Sequence, residues 1–370
     1  MGLGAVINVV TKEKQNGGSV GLNTQNAVTT GFGNNVVNFK YNWGHSQLGV
    51  TYNINYRNYN KRILDENMTY AVGGKTYQKQ KTGKNSPYAY EQQLAEISFN
   101  NSKPDNYIFS TKLSFNSLNR RRSSKQDIFS TIDDVVFEKF GESSDKDKYI
   151  SPVMDMYFSK TFNAKHELTM NLVGTYYKSD YDYRYSELSG GVTDFETATN
   201  INLDKYSFIG EAVYNYNMKT AQLYVGSRYM YNNSTQKNLP SNNRTLTNEI
   251  YSYLGIAGML GKKFNYSVRA GVNGNIFTTI ENKEYKFVYF RPQVKLGYFI
   301  DESSDLTFNY EVNTENPAIS SLTYNPYFKD ANYLYVGNPN LKPSNNHDLS
   351  LSYFKGFKKF VISAEVAYSY

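Results

Sequence analysis

The residues that could do chemistry are few in this sequence. It contains three histidines, His45, His166 and His347, and no cysteine. The missing cysteines exclude a thiolate metal site, and the histidines stand in predicted turns or at a strand start, where they predict no metal cluster. His347 with Asp348 is the only candidate for part of a Ser/His/Asp site, but neighbouring residues on a strand point to opposite faces. We therefore expect no enzyme activity, no metal and no cofactor.

Aromatic side chains in two polar stretches are better candidates for contacts with a ligand. The chain has 36 tyrosines and 22 phenylalanines against one tryptophan. Seven residues in or beside two predicted loops offer flat rings, hydroxyl groups and one positive charge. They are Tyr181, Tyr183, Arg184, Tyr324, Tyr327, Tyr333 and Tyr335. Anchoring at a membrane interface, or packing within a loop, is the alternative role for each of them.

The charge distribution gives no sign of a nucleic-acid partner. The net charge of +7 comes from 40 basic and 33 acidic residues spread along 370 positions. The clearest basic cluster, Arg120 to Arg122 with Lys125, is followed by six acidic residues between positions 133 and 147. We predict a solvated loop there rather than a surface for nucleic acid. No signal peptide is visible at Met1.

The elements that must position these side chains are strands with a period of two. Val37, Phe39 and Tyr41 share one face of a predicted strand, while Asn38 and Lys40 share the other. The mean hydropathy of −0.61 and the lack of long apolar runs exclude helical membrane spans. Strands of a membrane barrel escape that test, because only alternate residues face lipid.

The connections between the predicted strands distinguish a membrane barrel from a soluble β-sandwich. Every second connection is short, at residues 44–47, 102–106, 163–166, 217–220, 261–264, 301–305 and 355–358. Most of the others are long, at 60–88, 121–148, 185–203, 233–247 and 315–346, with short exceptions near 29–33 and 282–285. The sequence thus predicts an all-β fold, an antiparallel transmembrane β-barrel of about fifteen strands with short periplasmic turns and long extracellular loops.

The alternation also predicts which side chains face lipid and which face the lumen. Six residues expected on the lipid face are Tyr41, Ile54, Leu113, Leu172, Val268 and Phe308. Six residues expected on the lumen face are Asn42, Asn55, Lys112, Asn171, Arg269 and Asn309. Pro292 lies inside a predicted strand and lacks an N–H, so we expect a β-bulge there.

Two segments resemble TonB-dependent outer-membrane receptors. Residues 2–12, GLGAVINVVTK, are similar to the last strand of the plug domain of that family. Residues 317–343 are similar to a late-barrel segment, and its most specific part is Gly337, Asn338, Pro339, Asn340, Leu341, Lys342 and Pro343. Ser344 stands where the family usually has Glu, and Glu315-Asn316 stands where an Arg often precedes the first Pro. These departures are of the kind common in Bacteroidetes barrels.

The resemblance implies a domain organisation, a function and partners. Residues 1–12 would be the last strand of a plug domain, and residues 17–370 a partial outer-membrane barrel. The function implied is energy-coupled import of a nutrient across the outer membrane of a Gram-negative bacterium. Its partners would be outer-membrane lipid, a TonB complex bound through segments missing from this chain, and an unknown small-molecule, glycan or peptide substrate. A passive pore or adhesion barrel and an outer-membrane enzyme are the alternatives.

The strand count predicts that this chain is a fragment. About fifteen strands is an odd number, whereas plugged transporters of the family have about 22. We expect that residues 1–370 expressed alone form no closed barrel, because two sheet edges would stay open to lipid. Heat-modifiable migration on gels and protease resistance in membranes measure closure, and recovery of a stable closed barrel would contradict this expectation.

Overall fold

The computed structural model describes residues 16–132, 135–238, 242–278, 284–315, 317–322, 326–331 and 333–370. The predicted plug strand at residues 1–12 lies outside them. The elements are β1 Gly17–Asn26, β2 Gly31–Trp43, β3 Ser46–Tyr59, β4 Glu66–Val72, β5 Lys75–Asn85, β6 Tyr88–Lys103, β7 Tyr107–Ile132, β8 Val135–Asn163, β9 His166–Ser189, β10 Val192–Asn217, β11 Ala221–Asn238, β12 Asn242–Leu260, β13 Phe264–Thr278, β14 Glu284–Asp301, β15 Ser304–Glu315, α1 Ile319–Leu322, β16 Tyr327–Asp330, β17 Tyr333–Tyr335, β18 Ser344–Gly356 and β19 Val361–Ser369. Of the helices in these ranges, none is long and apolar enough to cross a membrane.

The strands form one antiparallel meander. Seventeen strands share a sheet, and fifteen of them follow one another as hydrogen-bonded neighbours from β1 to β19. The other two, β4 and β5, form a hairpin between β3 and β6, and β5 pairs with the far half of β7. Within the described residues, β1 and β19 each pair on one side only. The predicted antiparallel fold of about fifteen strands is confirmed.

The register separates an apolar face from a polar face. Phe39 lies opposite Val50, Val50 opposite Ile97, and Ile97 opposite Leu113. Followed across the sheet, this register places the six residues predicted to face lipid on one face and the six predicted to face the lumen on the other. The assignment from period-two alternation is therefore confirmed, because one constant register keeps the two sets apart.

Tyrosine rings cover glycines on the inner face. Gly226 lies directly opposite Tyr253, and Gly255 lies opposite Tyr224. A Cβ atom on Gly226 would lie 2.3 Å from Tyr253 Cζ, and one on Gly255 would lie 2.2 Å from Tyr224 Cζ. Each ring therefore fills the space that a side chain would occupy, which restores contact where glycine alone would weaken a strand.

The predicted short turns are confirmed at one end of the sheet. The connections there span two to four residues between consecutive strands, such as the one between β2 and β3. Gly44 and Gly261 have φ angles of 51° and 64°, a conformation that other residues rarely adopt. These tight turns join consecutive strands at one end of the sheet. The connections that differ in length and structure lie at the other end.

The predictions of long loops at 121–148 and 185–203 are wrong, because both segments are mostly strand. β7 continues to Ile132 and β8 begins at Val135, so both strands run through the stretch predicted as a loop at 121–148. β9 and β10 are joined by Gly190-Gly191 with φ angles of 57° and 83°, so 185–203 is also mostly strand. We call these extended parts of β7 to β10, with β4 and β5, the outer sheet. Its inner face mixes charged residues such as Lys79 and Glu187 with the buried Ile128 and Tyr185, so its sequence lacks the regular apolar alternation that marks a half-buried strand.

The predicted loop at 233–247 is largely strand as well, whereas 315–346 contains real loop structure. β11 continues to Asn238, and β12 begins at Asn242. The stretch before β18 holds α1 and the β16–β17 hairpin. The long connections of this barrel are therefore mostly hairpins that continue the wall.

The bulge predicted at Pro292 is absent. Pro292 lies opposite Ala270 of β13 without a change of register. On the other side, the pairing of β14 with β15 stops at Gln293, so the missing N–H falls where no ladder exists. Arg291 spans that gap by donating from Nε to the Val312 carbonyl at 3.2 Å and from a terminal guanidinium nitrogen to Asn313 Oδ1 at 2.7 Å.

Arginine substitutions test the two faces. We expect Leu172→Arg or Val268→Arg to lower the free energy of unfolding from lipid vesicles by about 2–4 kcal/mol, because these side chains lie on the apolar face. Asn171→Arg, one residue away on the polar face, should cost less than about 1 kcal/mol. Denaturant titration in vesicles measures both changes. Equal costs at positions 171 and 172 would contradict the assignment of the faces.

Candidate functional site

Tyr181 and Tyr183 lie on the inner face of the outer sheet. They belong to β9 rather than to a loop edge, and their rings are parallel, with centroids 6.5 Å apart and planes at 5°. Arg184 points to the opposite face, where its Nε lies 3.8 Å from an Asp182 oxygen and 73% of its side chain is exposed. The structure therefore does not bring Arg184 together with the two tyrosines, because adjacent residues on a strand face opposite ways.

The β16–β17 hairpin packs on this inner face. The Tyr183 hydroxyl donates to the Lys329 carbonyl at 2.7 Å across a sequence separation of 146 residues. The Phe328 ring meets Phe195 of β10 edge-on, with centroids 5.6 Å apart and planes at 75°. Phe195 in turn lies 6.3 Å from the Tyr185 ring. The structure therefore brings together the two groups of candidate residues that the sequence places far apart.

The docked hairpin carries exposed aromatic rings of its own. Tyr333 and Tyr335 of β17 are both about half exposed, with ring centroids 6.2 Å apart. Lys329 Nζ lies 5.7 Å from the Tyr333 ring centroid. We call Tyr181, Tyr183, Tyr333, Tyr335 and Lys329 the aromatic rim. Tyr327 begins β16 and pairs with Tyr335 through the backbone, and Tyr324 lies outside the described residues.

The motif from Gly337 to Pro343 shapes the segment that follows the hairpin. The Asn338 N–H donates to the Ser321 carbonyl of α1 at 2.7 Å. Asn338 Oδ1 accepts the Asn340 N–H at 3.0 Å, and the Leu341 N–H donates to the Asn338 carbonyl at 3.3 Å. These local bonds form an Asx-type turn, which links α1 to the segment after β17.

A buried charge network lies next to the docked hairpin. Glu187 is 1% exposed and Lys79 of β5 is 3% exposed, and Lys79 Nζ lies 2.9 Å from Glu187 Oε1. The same oxygen accepts the Tyr185 hydroxyl at 2.8 Å, while Oε2 lies 3.2 Å from Lys139 Nζ. Lys139 also pairs with Asp194. This network ties the β4–β5 hairpin to β8, β9 and the start of β10.

The network keeps its groups charged. Burial alone would raise the pKa of Glu187, but hydrogen bonds from Lys79, Tyr185 and Lys139 outweigh it, so the pKa lies below the ordinary value. The hydrogen bond to Asp194, assisted by Glu187, raises the pKa of Lys139. Both shifts favour the ionised pair over the neutral one.

The cluster Arg120 to Arg122 is not the solvated loop that we predicted. Arg120 pairs with Asp147 and Arg122 pairs with Asp145, each at 2.6 Å across β7 and β8 on the inner face. Arg121 lies between them and points outward. Two of the acidic residues that follow the cluster in sequence, Asp145 and Asp147, are thus its partners on the neighbouring strand.

The C-terminal part of the chain is similar to a known family. Residues 262–370 match the model of a family described as the outer membrane protein beta-barrel family. These residues include strands β13 to β19, which share one register with the rest of the meander. The fold is that of an outer-membrane β-barrel, and the protein is located in the outer membrane. Its long-connection end, which carries the aromatic rim, is the extracellular end in such barrels.

Solved structures of two outer-membrane proteins are similar in outline. The toluene transporter TodX of Pseudomonas putida is 8% identical, with a TM-score of 0.34 over 77% of this chain and 78% of that one. BauA, the ferric preacinetobactin receptor of Acinetobacter baumannii, is 10% identical, with a TM-score of 0.22 over 91% of this chain and 75% of that one. No curated protein matches the sequence. Because both TM-scores are below 0.5, no property of either protein is transferred to this barrel.

The sequence pattern did not identify several residues of this site. Lys79, Lys139, Glu187, Phe195 and Phe328 come from five different strands, so no local spacing unites them. One signal was available in Tyr181, Tyr183, Tyr185 and Glu187, which alternate along a single strand face. In the described residues of the barrel, no group of three or more His, Asp or Glu side chains is placed to hold a metal ion.

Substitution of Glu187 tests the charge network. We expect Glu187→Gln to weaken docking of the β4–β5 hairpin by about 3 kcal/mol, because it removes the carboxylate from a buried ion pair. Hydrogen exchange of residues 75–85 measures the opening. Asp127→Asn, which breaks the exposed pair with Lys84, is the matched control and should change little.

The same network predicts how the stability of the docked β4–β5 hairpin changes with pH. The folded-state pKa of Glu187 is lowered, so its stabilising contribution is fully present above the ordinary glutamate pKa and is lost as pH falls through the lowered one. The protection of the hairpin amides, corrected for the intrinsic pH dependence of exchange, should therefore fall on acidification below about pH 4 in the wild type and respond less in Glu187→Gln. The same acid response in both proteins would contradict the role of Glu187.

Proposed function

We propose that this barrel is an energy-coupled receptor that binds a nutrient at its extracellular mouth and imports it. The observation that supports this most directly is the aromatic rim. The Tyr183 hydroxyl of the barrel wall donates to the Lys329 carbonyl of a hairpin more than a hundred residues later, and that hairpin carries Tyr333 and Tyr335. A ligand entering the lumen would pass these rings, and tyrosine offers both a flat apolar surface and a hydroxyl group.

Energy coupling is the finer part of the proposal, and it rests on the sequence. The likeness of residues 2–12 to a plug strand supports a plug that closes the lumen and a TonB complex that opens it. Under this proposal the rim captures the substrate, and release follows movement of the plug. The barrel itself carries out transport rather than catalysis.

The chemistry of the rim limits the substrate to a broad class. Parallel rings such as those of Tyr181 and Tyr183 suit a flat or partly apolar ligand face, and their hydroxyl groups suit hydrogen-bonding substituents. A small molecule, a glycan or a peptide meets this description. The nearby Lys329 adds one positive charge at the Tyr333 ring.

Uptake by a deletion strain tests the proposal. Growth on a panel of nutrients identifies the substrate, and labelled uptake then measures transport with and without TonB or the proton-motive force. We expect uptake to be lost in all three deficient conditions: without this barrel, without TonB and without the force. Uptake that persists without TonB and the force would indicate a passive pore and overturn energy coupling.

Substitution of the rim tyrosines tests the binding site. The double variant Tyr181→Ala/Tyr183→Ala should raise the half-saturating substrate concentration about tenfold, because two ring contacts are lost. Tyr214→Ala, which removes an exposed tyrosine from the apolar outer face, is the matched control. The same half-saturating concentration in the double variant and the wild type would show that the rim does not bind the substrate.

A further inference from the structure

We propose that the lumen wall carries a second ligand site, formed along β13 and β14, that takes an elongated ligand with flat units and a carboxylate end. The proposal rests on the import function, because a ligand reaches this wall only by entering the lumen. It adds a substrate class to that function, an anion with aromatic or otherwise flat units. The site lies on other strands than the aromatic rim, so the two can be tested separately.

Three aromatic rings follow one another along the inner face of β14. Tyr285 and Phe287 have ring centroids 6.1 Å apart and planes at 9°. Phe287 and Tyr289 have centroids 5.8 Å apart and planes at 18°. Each of the three residues is partly exposed, while Val288 and Phe290 are exposed on the outward face of the same strand. Near-parallel rings at this spacing form a continuous strip that suits the faces of flat ligand units.

Two arginines follow the strip on the same face. Arg291 is two residues beyond Tyr289, about 7 Å along the strand, and lies opposite Gly271 of β13. Arg269 is two residues from Gly271 and shares that face. Both guanidinium groups lie beside the Tyr251 ring of β12, with Cζ 4.7 Å from its centroid in Arg291 and 5.8 Å in Arg269. The strip of rings therefore ends at two cations.

These two arginines differ from a third one at the same ring. Arg228 of β11 has its Cζ 6.0 Å from the Tyr251 centroid and pairs with Glu249 at 3.0 Å. In the described part of the chain, no acidic oxygen lies within 4 Å of the guanidinium groups of Arg269 and Arg291. Three guanidinium groups around one ring therefore share one ion pair.

Arg269 has the most open donors. It lies directly opposite Gly255 on one side and Gln293 on the other, so no acidic residue faces it from a neighbouring strand. Its buried Nε has no hydrogen-bond partner among the described residues. The rings of Tyr251 and Tyr253, at 5.8 and 5.1 Å, hold the guanidinium group without filling these donors. A guanidinium group presents its N–H donors in a fork that matches a carboxylate.

Arg291 is held in place and keeps donors for a ligand. Its Nε donates to the Val312 carbonyl at 3.2 Å, and one terminal nitrogen donates to Asn313 Oδ1 at 2.7 Å. Within the described residues, its other terminal nitrogen has no hydrogen-bond partner. A fixed arginine loses less side-chain entropy on binding an anion than a free one does.

Two further glutamates on this face are engaged elsewhere. Glu211 accepts the Tyr253 hydroxyl at 3.0 Å, and Glu311 accepts an amide N–H of Gln293 at 3.0 Å. Neither carboxylate lies within 4 Å of the two arginines at the end of the strip. An incoming carboxylate therefore has no ion pair to displace there.

A buried amide beside the arginines is incomplete. Asn273 lies opposite Tyr251 on one side and Tyr289 on the other. It is fully buried, and among the described residues neither polar atom of its amide has a hydrogen-bond partner. Such a group is costly, and a bound polar molecule commonly supplies the missing bonds. This part of the wall therefore has hydrogen-bonding capacity to spare for a polar molecule.

The order of these groups sets the ligand class. From Tyr285 to Arg291 the strand rises about 20 Å, so the site suits an elongated ligand rather than a compact one. Flat units would lie along the rings, and a carboxylate at one end would reach the arginines. A neutral ligand would meet the same rings but leave the guanidinium donors unfilled. The site therefore distinguishes ligands by the charge of one end.

Ligand-observed NMR titration of the purified full-length protein in nanodiscs tests the proposal. The probes are 4-hydroxybenzoate and 4-hydroxybenzamide, which share a ring and differ in the charge of one end. We expect the carboxylate to bind about tenfold more tightly. Equal binding of the two probes would overturn the site, as would happen if a carboxylate of the protein itself already occupied the arginines.

Failure of this site and failure of the proposed import are separate results. Probe binding to the purified protein needs neither TonB nor the proton-motive force. Equal binding of the probes would thus overturn the site and leave energy coupling standing. Uptake that persists without TonB would overturn energy coupling, while a preference for the carboxylate would still support the site.

Matched variants assign the binding to these residues. Arg269→Gln should remove the preference for the carboxylate, whereas Lys112→Gln, which removes a lumen charge from β7, should keep it. Phe287→Ala should weaken both probes, whereas Phe290→Ala, on the outward face of the same strand, should weaken neither. Heat-modifiable migration checks folding.

A milder variant serves if Arg269→Gln misfolds. Arg269→Lys keeps the charge but loses the planar fork, so it should reduce the preference for the carboxylate. An unchanged preference in a folded variant of Arg269, or unchanged binding of both probes by Phe287→Ala, would disprove the site.

Discussion

Backbone hydrogen bonding inside a bilayer is the constraint on which the rest of this structure depends. No water is available in the hydrocarbon core, so each N–H and C=O group must find a partner on a neighbouring strand. The chain meets this requirement with one register carried across the meander, in which Val50 faces Ile97, Ile97 faces Leu113 and Leu113 faces Met154. Since side chains alternate with a period of two, the same register decides which residues meet lipid and which line the lumen.

The register continues beyond the membrane into the outer sheet. Buried apolar side chains such as Ile128 are joined there by opposed charges, as in Arg120 with Asp147 on the inner face. The buried network around Glu187 is the strongest of these, because it unites groups from β5, β8 and β9 out of water. Its effect is to fasten the β4–β5 hairpin to the strands that also carry the β16–β17 hairpin.

The two faces of the same strand then have different surroundings. On β9, Tyr181 and Tyr183 point inward as part of the aromatic rim, while Leu172 points outward on the apolar face. An offset of one residue along the strand separates an inward side chain from an outward one. This explains why Arg184 could not join the tyrosines beside it in sequence.

The sequence by itself determined the fifteen strands of the meander, the two faces and the short turns, because these depend on local alternation and on residues such as Gly44 and Gly261. It failed at 121–148, 185–203 and 233–247, because the strands there mix polar and apolar residues without a regular apolar period. Tertiary structure alone decided the contacts of Tyr183 with Lys329 and of Glu187 with Lys79, across 146 and 108 residues. Such pairs depend on where distant hairpins fold back, and no spacing within one segment encodes that path.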